Sequence, residues 1–344
     1  MANPSPSKKI SVIFSFRNEA EVLPELIRRT RIVFKNALEA GMISSYELIF
    51  VDDASQDRSL EILQQNASGH DDIRILTMSR PFGVAPCIIA GMKYSTGDCV
   101  VYLDTDLQDP PEIIPELLRA WQDGQDIDVV HTIRRTRLGE SRLKILITHL
   151  GYWILNHTTD IALPKEAGDF KLLSRRVVNH ITQFKEKNPF IRGLVCWAGF
   201  NQIFIYYDRH PRAAGKTKFP VLSRGVIENF FDSALISFSN FPLKLALLAG
   251  SIVFLGSFAL LTYTIVQKII FPSQTGLSMT LMAILFLGGL QLMASGILGL
   301  YLNSIFLEAK GRPNYIIKET FGFTDPLAAK HINESTSLTK VPFL

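Results

Sequence analysis

Two carboxylates two residues apart, Asp104 and Asp106, close the apolar run Cys99–Leu103. On a strand end that spacing lets both share one hard cation, with the Gln108 carbonyl as a further oxygen ligand. A second acidic pair, Asp52-Asp53, follows Leu48–Val51. A carboxylate there can accept hydrogen bonds from a nucleobase or ribose, or the pair can form a plain turn with Ser55 capping the next helix. A third polar end, Arg17-Asn18-Glu19, follows Ile10–Phe16.

These ends belong to a repeating pattern. Between residue 10 and about 130 short apolar runs alternate with helical stretches near 20–40, 57–67 and 84–95. Strands spaced by helices imply an α/β fold with a parallel, doubly wound sheet, in which ligands bind beyond the carboxyl ends of the strands. Three polar ends on one edge of the sheet suggest a nucleotide and a metal. Asp109-Pro110-Pro111-Glu112 supplies a cap, a first-turn proline and an early carboxylate, which would start a helix and hold the acidic loop in place.

The chain has 344 residues, 47% hydrophobic and only 20% charged, with a mean hydropathy of +0.18. The charge deficit has one location. Residues 244–307 contain only Lys244 and Lys268, while the remainder carries an ordinary soluble density of charge. A net charge of +4 is too mild for a nucleic-acid binder. Cys87, Cys99 and Cys196 have no CxxC or metal-ligand spacing and read as small buried hydrophobes in a reducing compartment. The N-terminus MANPSPSKK lacks the apolar core of a secretory signal.

Residues 245–267 are uncharged and, at about 1.5 Å per residue, give a helix of roughly 34 Å, enough to cross a bilayer. A break at Phe271–Gly276 precedes a second apolar stretch over 277–303, which makes a two-helix hairpin. Positive residues flank its outer ends, so the expectation is that the globular domain and both termini are cytoplasmic. Two basic segments stand out. Residues 134–144 hold Arg134, Arg135, Arg137, Arg142 and Lys144 against Glu140, a local +4. Arg209, Arg212, Lys216 and Lys218 surround Gly215. Each adjoins an amphipathic stretch, 143–154 and 219–242, suited to a membrane surface, and a lipid phosphate is a natural counter-ion. The expected organisation is a catalytic domain over 1–218, an interfacial helix over 219–242, the hairpin over 243–307 and a C-terminal segment over 308–344.

Seven elements occur in an order that resembles family-2 glycosyltransferases acting on polyprenyl phosphates, of the GtrB-type or dolichyl-phosphate-mannose-synthase-like branch. They are Asn18-Glu19, Val51–Ser55, Arg80–Gly83, Leu103–Glu112, Gly168–Arg175, Arg192–Leu194, and Arg209–Arg212 with Gly215–Phe219. The chain departs from the family pattern at Ser15, often proline, and at Thr105, usually alanine or serine. Neither change removes a chemical group.

The resemblance implies a GT-A fold, Mg²⁺ or Mn²⁺, a nucleotide-sugar donor, a polyprenyl-phosphate acceptor and a homo-oligomer in the bilayer. It implies that Asn18, Glu19, Asp52, Asp53, Asp104, Arg209, Arg212 and Lys218 bind the donor, with Asp53 at the base. Asp104, Asp106 and Gln108 would hold the metal and diphosphate. Asp169, with Asp106, would serve catalysis, and Arg134, Arg137 and Ser141 the acceptor phosphate. The Gly168–Ser174 run looks most like members that transfer glucose, with GDP-mannose, UDP-GlcNAc and UDP-aminoarabinose derivatives as other donors. A Rossmann oxidoreductase lacks its GxGxxG here, a processive synthase would have more membrane helices, and a scaffold that only binds sugar nucleotide would not need the full carboxylate set.

Overall fold

The computed structural model describes residues 8–124, 126–135, 164, 167–209, 241–270 and 277–323. The chain divides into two units. One comprises Met1–Tyr152, Ala162–Val221 and Pro313–Leu344, the other Trp153–Ile161 and Leu222–Arg312.

The first unit is built on an eight-stranded sheet in the order β7-β5-β6-β4-β1-β2-β3-β8. Its strands are β1 (Lys9–Phe16), β2 (Ser45–Asp52), β3 (Ile73–Met78), β4 (Cys99–Asp104), β5 (Val129–Arg134), β6 (Ala167–Ser174), β7 (Gln202–Tyr207) and β8 (Ile317–Phe321). Strands β1 to β4 pair in parallel, as the alternating pattern requires. Helices α1 (Leu23–Glu39), α2 (Ser59–Ala67), α3 (Val84–Tyr94) and α4 (Ile114–Asp123) lie between strands, and α5 (Arg175–Ile181) and α6 (Ile191–Trp197) follow β6.

Neighbouring residues face opposite layers, as strand periodicity demands. Phe14 and Phe50 stack at 4.8 Å between centroids in a core shared with Leu26, Phe34 and Leu117. Ile13 and Ile49 join Cys87, Tyr102 and Val177 in the second core. Helix α1 earns its place through Leu23, Leu26, Ile27, Thr30, Val33, Phe34 and Ala37, one buried stripe at helical spacing, with a proline in its first turn. Cys87 and Cys99 are buried free thiols, and Cys196 is partly buried.

Two strands depart from the expected pattern. β6 runs antiparallel to both β4 and β5, so the sheet is mixed rather than wholly parallel. β8 returns from the C-terminal segment 308–344 and pairs antiparallel with β3, making part of that segment an edge strand of the sheet. It is held by the Ser79 N–H donating to the Ile316 carbonyl at 2.9 Å and by Phe323 edge-on to Tyr94 at 5.5 Å. Gly322 follows β8 with φ +78°, and a Cβ there would lie 2.6 Å from the Ile73 carbonyl oxygen. Gly322→Ala is therefore expected to destabilise the sheet by roughly 2 kcal/mol from the left-handed conformation and the clash. Thermal unfolding of the detergent-solubilised protein measures it, and an unchanged midpoint would contradict this account of β8.

The second unit contains α7 (Phe241–Ile270) and α8 (Leu277–Ala309), which contact one another. Among the described residues Phe286–Ala309 is long and apolar enough to cross a membrane by length and composition, and Leu243–Val253 is a shorter apolar segment. Large apolar side chains on both helices, including Leu247, Ile269 and Leu292, are exposed, which a soluble core helix would avoid. The amphipathic stretch 143–154 and residues 219–240 of the second lie outside the described residues, and Phe241 and Pro242, expected to end the second stretch, instead begin α7.

Candidate active site

The sheet register gathers the acidic ends. Ser15 of β1 pairs with Asp104 of β4, and Phe16 with Asp52 of β2. Tyr102 of β4 pairs with Lys171 of β6. That antiparallel register, continued by two residues, sets Asp169 beside Asp104. On the far side Arg134 of β5 pairs with Tyr207 of β7. Three of the four described non-glycine residues with positive φ, namely Asn18, Ala54 and Leu107, occupy loops at this edge, where strained backbone concentrates in functional sites.

The loops after β1 and β2 are stitched into one surface. The Asn18 N–H donates to Ser55 Oγ at 2.9 Å, and Asn18 Oδ1 accepts from the Gln56 N–H at 2.8 Å. The Glu19 N–H donates to Ser59 Oγ at 2.9 Å, and the Ala20 N–H to Asp57 Oδ2 at 3.1 Å. Asp52 is buried and accepts the Ser55 N–H at 2.9 Å. Its burial raises its pKa against the Ser55 hydrogen bonds. Asp52 thus shapes the turn, whereas Ser55 serves Asn18 and does not cap α2, which has no side-chain cap bond. Asp53 accepts from the Phe82 N–H at 2.6 Å and the Gly83 N–H at 3.1 Å. It ties the loop after β3 to the same surface, and its carboxylate oxygens retain lone pairs for a ligand.

Asp104 and Asp106 meet at the end of β4, where Asp106 is buried and its Oδ1 accepts the Gln108 N–H at 3.1 Å. Burial, then the charges of Asp169, Asp109 and Asp106, push the Asp104 carboxyl up to about 7. Crowded negative charge of this kind is stabilised by a cation. Among the described residues no three acids, histidines or cysteines form a complete protein cage. Two carboxylates with open positions nevertheless fit Mg²⁺ or Mn²⁺, which commonly completes its shell with phosphate oxygens and water.

Asp169 is differently placed. Arg192, on α6, forms a two-point contact with it, Nε to Oδ1 at 2.7 Å and Nη2 to Oδ2 at 2.5 Å. Burial would raise the Asp169 pKa, but Arg192, Lys171 and Arg134 hold the carboxyl well below the usual carboxylate range. Lys171 is only 1% exposed, with Nζ 5.9 Å from the Tyr102 ring centroid. Burial pulls its pKa down to about 8, against the attraction of Asp169.

Asp109 corrects the helix-cap reading. The short helix starting at Pro111 and α4 both lack a side-chain cap bond. The Asp109 carboxylate is instead fully buried. It accepts from Tyr207 Oη and from Arg209 Nε, the latter at 3.2 Å, and lies 4.0 Å from Arg134 Nη2. One carboxylate therefore anchors the first arginine of each basic segment. The absence of a side chain at Gly168 matters here, because a Cβ would sit 3.0 Å from Arg134 Nη2.

The structure thus brings together Asp104, Asp106, Gln108, Asp169, Arg134 and Arg209, while Asn18, Glu19, Asp52 and Asp53 form the adjoining loop surface. Arg137, Ser141, Arg212 and Lys218 lie outside the described residues. Sequence reading missed the contacts of Asp109, Lys171, Arg192 and Tyr207. The Arg192-Gly193-Leu194 element was the available signal for one of them.

The model of Glycosyl transferase family 2 matches residues 11–182. The uncharacterized glycosyltransferase YkcC of Bacillus subtilis is 37% identical over 91% of this chain and 94% of its own. The prophage bactoprenol glucosyl transferase homolog of Escherichia coli is 35% identical over 90% of this chain and 98% of its own. Among solved structures, the mannosyltransferase PcManGT from Pyrobaculum calidifontis aligns with a TM-score of 0.41 and 16% identity, over 98% of this chain and 83% of that one. Family match and near full-length likeness agree with the acidic edge of the mixed sheet: the chain belongs to glycosyltransferase family 2 and is a glycosyltransferase with a GT-A-like fold.

Proposed function

We propose that the protein is a membrane-anchored inverting glycosyltransferase that moves one glucose from UDP-glucose to the phosphate of undecaprenyl or a related polyprenyl phosphate. The observation that carries this reading is the meeting, on one edge of the sheet, of the Asp104/Asp106 pair with Asp169 and the arginines held by Asp109. The name of the Escherichia coli relative, a bactoprenol glucosyl transferase homolog, supports the acceptor and the sugar.

The acceptor needs little activation. A phosphate monoester has a second pKa near 6, so at pH 7 it is already a largely dianionic nucleophile. Its oxygen attacks the anomeric carbon, the bond from that carbon to the diphosphate breaks, and the electron pair leaves on UDP. A single in-line displacement inverts the anomeric centre. Asn18, Glu19, Asp52 and Asp53 shape the nucleoside side, and Arg209, Arg212 and Lys218 close over the diphosphate. Arg134, Arg137 and Ser141 hold the acceptor phosphate behind the sugar, where positioning supplies much of the rate. Asp104, Asp106 and Gln108 would hold Mg²⁺ or Mn²⁺, which when bound neutralises charge on the departing diphosphate. Asp169 stabilises positive charge developing on the sugar ring.

A long isoprenoid remains in the bilayer while its phosphate sits at headgroup depth. The apolar helices α7 and α8 and the amphipathic stretches would keep the catalytic domain there, on the cytoplasmic face by the distribution of positive charge. The homo-oligomer implied by the family resemblance would bring several such sites to one patch of membrane.

The test is to incubate membranes containing the protein with undecaprenyl phosphate and each labelled donor in turn. Chloroform-soluble label from UDP-glucose is expected. Label from GDP-mannose, UDP-GlcNAc or a UDP-aminoarabinose derivative alone would replace the donor, and no lipid label from any of them would contradict the function.

A further inference from the structure

Asp169 is held through both of its carboxylate oxygens by a residue of a neighbouring helix. Its partner Arg192 lies in the first turn of α6, a helix fixed to the sheet by Ile191, Leu194 and Val195, all buried. The Gln202 side-chain amide also donates to the Val195 carbonyl at 3.3 Å, which ties α6 to β7. Arg192 therefore projects from a rigid platform. Both carboxylate oxygens of Asp169 are engaged, by Nε and Nη2 of the same guanidinium. A planar two-point contact fixes direction as well as distance, which a lysine ammonium cannot do.

The strand adds a second constraint. Lys171 lies two residues from Asp169 on the same face of β6 and is almost wholly buried. It adds attraction without competing for the geometry of the fork. Gly168, one residue before Asp169, leaves room for Arg134 on the opposite face. Asp169 thus feels the charge of Arg192, Lys171 and Arg134, and among the described residues Arg192 is the cation that hydrogen-bonds its oxygens.

We infer that Arg192 is a positioning residue: through its two-point contact it holds the Asp169 carboxylate in one orientation toward the anomeric carbon, without itself touching donor or acceptor. The inference rests on the reading of Asp169 as acting at the reacting centre. A part-buried carboxylate with a fixed direction can be aimed. With the contact removed, the side chain turns toward Lys171 or solvent, and a misplacement of about 1 Å can cost roughly 100-fold in rate.

A double-mutant cycle on the full-length protein, using labelled UDP-glucose and undecaprenyl phosphate, tests this. Arg192→Met is expected to lower kcat about 100-fold while leaving KM for both substrates within about twofold, because only transition-state stabilisation is lost. Arg192→Lys keeps the charge without the fork and is expected to recover about 10-fold of that loss. In an Asp169→Asn background Arg192→Met is expected to cost less than about threefold, because the group it positions has already lost its charge.

Equal costs in both backgrounds would overturn the inference and make Arg192 an independent contributor. So would a rise confined to the acceptor KM, which would make it a phosphate ligand. Rates are taken per folded protein from the melting transition, so that lost packing of α6 is not counted as lost chemistry. Should the proposed function fail, the wild-type protein itself makes no lipid-linked sugar. Should only the role of Arg192 fail, the wild type is active and the cycle is additive.

Discussion

Asp106→Asn is expected to lower kcat for sugar transfer about 1,000-fold at saturating Mg²⁺, equivalent to roughly 4 kcal/mol of transition-state stabilisation. Asparagine keeps the size of the side chain, and its amide oxygen can still accept the Gln108 N–H that now reaches Asp106 at 3.1 Å. The loop is therefore preserved while one negative charge of the pair is lost. Asp104 then remains as the only member of the pair able to neutralise a divalent cation, and its own pKa falls because one repelling neighbour is gone. The consequence is weaker divalent-cation binding and poorer neutralisation of the leaving diphosphate. Transfer measured across a Mg²⁺ or Mn²⁺ titration separates the two effects. Added metal restores part of the loss in affinity but not the loss in kcat. Wild-type transfer by Asp106→Asn at saturating metal would refute the assignment of this pair.

Asp169→Asn is the second large effect, a fall in kcat of about 1,000-fold with donor KM little changed. The carboxylate is held ionised by Arg192, Lys171 and Arg134 in spite of its partial desolvation. It is a poor proton acceptor for the same reason, and the dianionic acceptor has little need of one. Its value is fixed negative charge near a sugar carbon that becomes positive as the diphosphate departs. Asparagine removes that charge and with it the ion pair to the Arg192 guanidinium, which also lowers stability. UDP binding to the folded variant, followed by calorimetry, is expected to stay near the wild-type value. A variant that binds UDP normally and transfers at the wild-type rate would remove Asp169 from the reaction.

The parts that were legible in the sequence are those coded locally. Apolar runs ending in Asn18-Glu19, Asp52-Asp53 and Asp104-Thr105-Asp106 announce parallel strands and an acidic edge, and the structure has β1, β2 and β4 there. β6 was harder to see because Lys171 interrupts its apolar run, and a buried lysine looks like a solvated one until its neighbours are known. β8 was hidden for the opposite reason. As an edge strand it carries Lys318 and Glu319 side by side, with both more than half exposed, and only its pairing to β3 defines it.

Asp109 was misread because Asp-Pro-Pro-Glu is a good local signal for a helix start. Its actual partners Tyr207 and Arg209 are 98 and 100 residues further along the chain. The same distance problem concealed Arg192, which is 23 residues beyond Asp169. Local patterns locate strand ends and turns, but the pairing of buried charges depends on which strands become neighbours.

In the proposed reaction a lipid phosphate, rather than a hydroxyl group or water, accepts the sugar. The purified protein, labelled UDP-glucose and Mg²⁺, supplied in parallel with undecaprenyl phosphate or with unphosphorylated undecaprenol, tests this. Organic-phase label is expected with the phosphate alone, released as free sugar by mild acid as a glycosyl phosphodiester should be. Equal labelling of the alcohol, or label appearing only as free glucose in the aqueous phase, would contradict it.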